Sequence, residues 1–194
     1  MKKLTLLIIC TIISCNISAQ QKNTSIGIKA GLNISSYYGK SYSDIKAKVG
    51  YQAGVVLEYR FFGIFALSPE LVFSAEGCTV NSPDSKSGSL VHYANYINLP
   101  VMAKFYVLKN LSIDFGPQFG LVVYMHETFD NHNYEVSKGS YDEFNVGLGI
   151  GATYNFNKNL FVQGRYNMDF LNMSRDEPIK PLNGQLCVGY KFFL

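Results

Sequence analysis

Residues able to do acid–base or ligand chemistry are confined to a few stretches of this chain. His126, Glu127, Asp130, His132 and Glu135 fall close together. Imidazoles and carboxylates of this kind can hold zinc or another divalent ion, and His126 and His132 could approach across a folded loop. Their spacing matches no defined ligand pattern, so the expectation is a solvated polar loop and no metal. Ser36, Ser41, Ser82, Ser137 and Ser140, with His92 or His126 and nearby acids, supply the residue types of a nucleophile–base–acid hydrolase. No nucleophile elbow surrounds any of these serines, and a triad is defined by geometry. The run Gly147-Leu148-Gly149-Ile150-Gly151-Ala152 superficially fits a dinucleotide fingerprint. That motif needs a following helix to receive the pyrophosphate. Here Thr153-Tyr154-Asn155-Phe156-Asn157 follows, which reads as a strand end and a turn. No catalytic, cofactor-binding or metal residue is assigned, no cofactor is expected, and the chain reads as non-enzymatic.

A second set of charges is spread along the whole sequence. Lys29, Arg60, Lys104, Arg165 and Lys191 stand against Glu58, Glu70, Glu76, Asp114 and Asp169. All ten fall on the polar side of segments that alternate with period two, the signature of strands with two unlike faces. Ile26, Ile28, Ala30, Leu32 and Ile34 alternate with Gly27, Lys29, Gly31, Asn33 and Ser35. Leu160, Val162, Tyr166, Met168 and Phe170 likewise oppose Gln163, Arg165, Asn167 and Asp169. The pattern predicts eight strands at about 26–35, 49–60, 64–76, 93–108, 111–125, 141–156, 160–170 and 183–193. Each is long enough to cross a bilayer at a tilt, for which about 9–11 residues suffice. Short turns at 61–63, 108–110 and 157–159 alternate with long polar connections at 36–47, 77–90, 126–139 and 172–182. Such unequal rims are those of an outer-membrane barrel.

Alternation alone does not say which face meets water, because a soluble lipocalin-like barrel has the same period. Three features favour the inverted arrangement. The polar face carries Gly147, Gly149, Gly151 and Thr153, small residues suited to a narrow interior. Its charges are balanced, five of each sign, so a lumen could neutralise itself. Tyr51, Tyr59, Phe61, Phe105, Tyr106, Tyr154, Phe156, Tyr166 and Phe170 gather near strand ends, where aromatic rings suit the headgroup zone. In an eight-stranded barrel the side chains themselves fill the interior, so the lumen charges read as a plug and not an ion path.

Composition agrees. Of 194 residues, 47% are hydrophobic and only 16% charged, which excludes disordered and coiled-coil classes. Lys2 and Lys3 precede an apolar run from Leu4 to Ile13, and Ile17-Ser18-Ala19 offers a cleavage site before Gln20. Residues 1–19 are therefore expected to be a signal peptide and 20–194 the barrel domain. Cleavage would leave 175 residues and a formal charge of +1 in place of +3, which argues against a nucleic-acid partner. A rival reading lipidates Cys15 in Ile12-Ile13-Ser14-Cys15, but Ser14 is uncommon there and no tether follows. Cys78 and Cys187 fall on the third and eighth strands, which are not neighbours by this count, so no disulfide is expected. Pro69, Pro100 and Pro117 lie inside strands and each requires a bulge or a locally unpaired position.

Several motifs then resemble the PorT-like outer-membrane β-barrel family of Gram-negative bacteria. They are Ile26-Gly27-Ile28-Lys29-Ala30-Gly31-Leu32-Asn33, Leu67-Ser68-Pro69-Glu70-Leu71-Val72-Phe73-Ser74 and Tyr96-Ile97-Asn98-Leu99-Pro100-Val101-Met102-Ala103-Lys104. Phe115-Gly116-Pro117-Gln118, Gly164-Arg165-Tyr166 and Val188-Gly189-Tyr190-Lys191-Phe192 complete the series. The resemblance implies an all-β fold: a single eight-stranded antiparallel up-and-down transmembrane barrel of the small OmpA/OmpX type with a polar, filled interior. Asn98 stands where that family often has an acid, and the chain ends Phe192-Phe193-Leu194 and not on an aromatic residue. The expected partners are the lipid bilayer of the outer membrane and a protein met through the extracellular loops or the periplasmic rim, the barrel being a monomer. The expected role is structural or interactive: surface binding, envelope integrity or assistance to protein export. The alternatives are a barrel-mouth enzyme and a soluble small-molecule binder.

Overall fold

The computed structural model describes residues 23–38, 45–81, 89–129, 132–135, 143–171 and 180–194. The leader with both of its processing readings lies outside them, as do Ser41, Ser82, Asp130, Ser137 and Ser140.

Alternating apolar and polar residues form strands β1 (Thr24–Tyr38), β2 (Ile45–Phe62), β3 (Phe65–Asn81), β4 (Ser89–Leu108) and β5 (Leu111–Phe129). After the short β6 (His132–Glu135) come β7 (Phe144–Asn155), β8 (Leu160–Asp169) and β9 (Lys180–Phe193). Every pairing is antiparallel, in the order β4-β3-β2-β1-β9-β8-β7-β5, and a β4–β5 pairing closes the ring. Eight strands thus make a barrel with no free edge, which a membrane requires of any strand-built span. No described helix is long and apolar enough to cross a membrane.

β6 is the ninth strand and stands outside the ring, paired with β5 at Phe129↔His132 through His126↔Glu135. The strands also run further than their apolar alternation. Residues 77–81, 89–92 and 126–129, expected in loops, continue β3, β4 and β5. Beyond the apolar band no lipid imposes two unlike faces, so the sequence there loses its period while the ladder persists.

The exterior settles the question of faces. Ile28, Val55, Leu71, Leu99, Phe115, Ile150, Tyr166 and Val188, one from each barrel strand, are all exposed. Lys29, Glu58, Glu70, Glu76, Lys104, Asp114, Arg165 and Lys191 are buried. An apolar band circling a molecule whose charges lie inside belongs in lipid, and the soluble-barrel alternative fails on it. At the short-turn rim the aromatic rings touch in sequence: Tyr59–Phe61 at 4.6 Å, Phe61–Phe65 at 5.7 Å and Phe65–Phe105 at 5.2 Å between centroids. Tyr154–Phe156 and Tyr190–Phe192 continue the girdle. Tyr106 does not join it. It lies inside the barrel, because it shares the face of Lys104 and not that of Phe105.

The prolines occupy gaps in the ladder. β2–β3 pairing stops at Val56↔Glu70 and resumes at Tyr59↔Leu67 in the same register, skipping Pro69. β3–β4 skips Pro100 between Pro69↔Val101 and Val72↔Asn98, and β4–β5 skips Pro117 between Pro100↔Gln118 and Ala103↔Phe115. A residue without an N–H therefore interrupts one pairing locally and leaves the register intact. Cys78 and Cys187 lie on β3 and β9 and form no disulfide.

A closed barrel resists detergent, so unboiled protein from the outer-membrane fraction should migrate faster on a gel than boiled protein. Val188→Arg, on the lipid face, should cost about 2–4 kcal/mol in urea unfolding from vesicles, the range for a midplane cation in such barrels. A cost near zero would place Val188 in water.

Candidate functional site: the charge-paired lumen

Inside the barrel, Glu70 of β3 is the centre of the strongest contacts. Arg165 of β8 donates to both carboxylate oxygens, Nη1 at 2.9 Å and Nη2 at 2.7 Å, and Lys29 of β1 donates at 2.6 Å. A bidentate guanidinium–carboxylate pair reinforced by an ammonium is among the strongest polar contacts a protein makes. Lys29 also donates to Gln163 Oε1 at 2.9 Å, and Gln163 Nε2 donates to Thr153 Oγ1 at 3.2 Å. Thr153 and Ser112 in turn donate their hydroxyls to Asp114.

Lys104 joins this group to a second one, lying 3.8 Å from Asp114 and 3.4 Å from Glu58. Glu58 accepts further bonds from Lys191 at 2.9 Å and from the Tyr106 hydroxyl. Arg60 covers the Tyr106 ring at 3.8 Å and reaches Glu58 at 3.7 Å. Lys29, Glu58, Glu70, Lys104, Asp114, Thr153, Arg165 and Lys191 come from β1, β2, β3, β4, β5, β7, β8 and β9 respectively. Every strand of the ring is therefore tied to the network, which crosses the lumen like spokes.

Glycines make the room for it. A Cβ on Gly151 would strike the Gly164 carbonyl and crowd Arg165, and one on Gly149 would strike the Asn167 side chain. The small-residue face of β7 is what lets the bulkiest cation of the lumen lie flat. At the short-turn end a vestibule of about 750 Å³, lined by Arg60, Lys109, Asn155, Lys158 and Lys191 among others, ends inward at Glu58.

All ten charges assigned to the polar face do point inward, with Arg60 and Asp169 half-exposed near the two ends. The network also uses Tyr106, Ser112, Thr153 and Gln163. The same alternation that placed Lys104 inside also places Tyr106 there, two residues on.

The loop histidines divide differently. His126 belongs to β5, opposite Glu135, and its ring stacks on Tyr93 at 4.5 Å with a 7° interplanar angle. The Lys48 ammonium lies over the same Tyr93 ring. His132 sits opposite Phe129, three ladder positions from His126, or about 10 Å along the strand. Among the described residues no group of three histidines, cysteines or acids could hold a metal. His92 is in register between Cys78 and Glu127, and Ser36 is a β1 residue opposite Leu182. Gly147, Gly149 and Gly151 lie within β7, paired with β5 and β8, so the apparent dinucleotide motif is strand interior.

The fit around Arg165 gives a paired test. Gly151→Leu should abolish or sharply reduce refolding into a heat-modifiable barrel. Ala152→Leu, one residue away on the lipid face, should refold like the parent, and equal behaviour of the two would contradict the register.

The family model for the outer membrane protein beta-barrel domain matches residues 18–175. Among solved structures the chain is similar to the attachment invasion locus protein Ail of Yersinia pestis. The identity is 16% and the TM-score 0.54, covering 89% of this chain and 100% of that one. Neisserial surface protein A (NspA) is similar at 10% identity and a TM-score of 0.58, covering 86% and 97%. No curated protein sequence matches the chain. With a charged lumen spanned by all eight strands, an apolar exterior and a family match over most of its length, the chain belongs to the outer membrane protein beta-barrel domain family.

Proposed function

We propose that this protein is a non-enzymatic, monomeric outer-membrane anchor that presents an interaction surface at its extracellular rim. The observation that carries this reading is the network from Glu70 to Glu58, which fills the lumen from every strand. A barrel filled in this way offers no route for a solute, so its rims are where it meets other molecules.

The long-loop rim is the more developed. β5 pairs with β7 only as far as Leu121↔Phe144 but continues to Phe129, alongside β4 on one side and β6 on the other. These projecting strand ends form a stiff ledge for binding a protein or a surface polymer. Ail, similar in fold, is named for attachment and has been crystallised with the heparin analogue sucrose octasulfate. A second reading, assistance to protein export from the periplasmic side, draws on the cation-lined vestibule. The proposal includes membership of the PorT-like branch, supported by the motif series from Ile26 to Phe192, and a signal peptide at residues 1–19 cut after Ala19, supported by Lys2, Lys3 and the apolar run that follows them.

Deleting residues 82–88 and 130–143 should abolish binding of whole cells to their surface target while heat-modifiable barrel still accumulates. Retained binding would move the function to the periplasmic rim. The purified protein should give no stepwise conductance in planar bilayers, and steady single-channel currents would refute the plug. N-terminal sequencing of the membrane-extracted protein should begin at Gln20.

A further inference from the structure

The ten inward charges are not spread evenly along the lumen. All five cations, Lys29, Arg60, Lys104, Arg165 and Lys191, lie in the half nearer the short-turn rim, with only three acids, Glu58, Glu70 and Asp114. Glu76 and Asp169 lie towards the other end, opposite Ala94 and Gly147. The three lower acids are already engaged. Glu70 holds Lys29 and Arg165, Lys104 lies between Asp114 and Glu58, and Glu58 also accepts from Lys191. Five positive groups against three negative leave a surplus of two. Lys109 and Lys158, exposed at the mouth of the vestibule and without an ion pair among the described residues, raise it to four. A carboxylate on Leu194, at the same rim, would still leave three.

These cations share one space. Arg60, Lys109, Lys158 and Lys191 all line the vestibule of about 750 Å³, which closes inward on Glu58. The turns carrying Lys109 and Lys158 are joined, since the Asn155 N–H donates to the Asn110 carbonyl at 2.7 Å. Asn159, next to Lys158, ties its turn to β9 twice. The Lys191 N–H donates to its carbonyl at 2.8 Å, and its Nδ2 donates to the Lys191 carbonyl at 2.8 Å. Lys191 is only 3% exposed, yet its ammonium, with three donors, makes one hydrogen bond among the described residues, to Glu58. Arg60 lies on the Tyr106 ring with Nη2 3.7 Å from Glu58, beyond hydrogen-bond range. Buried cations ordinarily have matching anions, and a cleft lined by one sign of charge concentrates the other. Phe193 and Phe156 form the apolar side of the vestibule, and Phe156 stands in the girdle 5.1 Å from Tyr154. The space therefore opens to water and towards the headgroup zone.

We propose that the vestibule at the short-turn rim binds a phosphate group, held by Arg60 and Lys191 from within and by Lys109 and Lys158 at the mouth. Such a group is anionic and offers several oxygens at once to guanidinium and ammonium donors. A soluble phosphate and the headgroup of an anionic phospholipid in the adjoining leaflet both present it. The site lies at the opposite end of the barrel from the projecting strand ends and does not depend on what they bind.

The test uses the refolded full-length barrel in two arms. In uncharged detergent, equilibrium dialysis with inorganic phosphate at constant ionic strength measures binding of the free anion. In vesicles, heat unfolding is compared between phosphatidylcholine alone and phosphatidylcholine containing phosphatidylglycerol. One phosphate bound per barrel identifies a soluble ligand. No binding of free phosphate, with an unfolding temperature about 3–6 °C higher in the anionic vesicles, identifies the lipid headgroup. In either case the effect should fall at least about tenfold in affinity, or vanish as a shift, in Arg60→Gln and in the double variant Lys109→Gln/Lys158→Gln, since each removes charged donors. It should be unchanged in Lys46→Gln, an exposed lysine near the long-loop rim. Absence of both effects in the parent protein would overturn the proposal. So would effects that persist in the double lysine variant, or that Lys46→Gln reduces equally, as for unspecific attraction to a basic protein. Should Arg60→Gln not refold, the double lysine variant decides, because both of its side chains are exposed on turns.

Discussion

The Glu70 carboxylate, gripped on both oxygens by Arg165 and again by Lys29, is the contact on which the rest of the barrel depends. With lipid on the outside, apolar burial does not hold the strands together as it does a soluble core. What remains is the backbone ladder and whatever crosses the lumen. Charges in that space are costly unless paired, and once paired they are costly to separate. Lys29, Glu70 and Arg165 come from β1, β3 and β8, which are not adjacent in the ring, so the contact acts across the barrel and not along its wall. Lys104 passes the constraint on to Asp114 and Glu58, and through Glu58 to Lys191 and Tyr106.

Other features follow from fitting that network into a narrow tube. The glycines of β7 face Arg165 and Asn167 because no larger residue leaves room for them. Pro69, Pro100 and Pro117 cluster on the adjacent strands β3, β4 and β5, and each is absorbed by a local gap that leaves the ladder in register. The aromatic girdle at the short-turn end marks one interface, where rings such as Tyr59, Phe105 and Tyr190 are exposed to the headgroup zone.

Most of the transmembrane part was legible in the sequence because the bilayer imposes a strict period of two. Lys29, Glu70 and Arg165 declared themselves as inward residues by parity alone, and Asn98 proved buried on the same face. Tyr106 departs from the expectation because ring type alone suggests the headgroup zone, whereas the strand's parity lets only Phe105 of the two face lipid. The strand extensions and β6 were not legible, since residues such as His92 and Glu127 lie beyond the apolar segments, where the alternation stops. Which lumen charges meet which depends on the stagger between strands far apart in sequence, which parity does not encode.

The most direct test of the central contact is a double-mutant cycle on Glu70 and Arg165, read by urea unfolding of the barrel refolded into lipid vesicles. Glu70→Ala and Arg165→Ala should each cost about 3–5 kcal/mol, as breaking a buried pair does. The double variant should cost clearly less than their sum, with a coupling of at least about 2 kcal/mol. Additive costs, or single costs within about 0.5 kcal/mol of zero as at an unengaged surface site, would show that the lumen network does not hold this barrel.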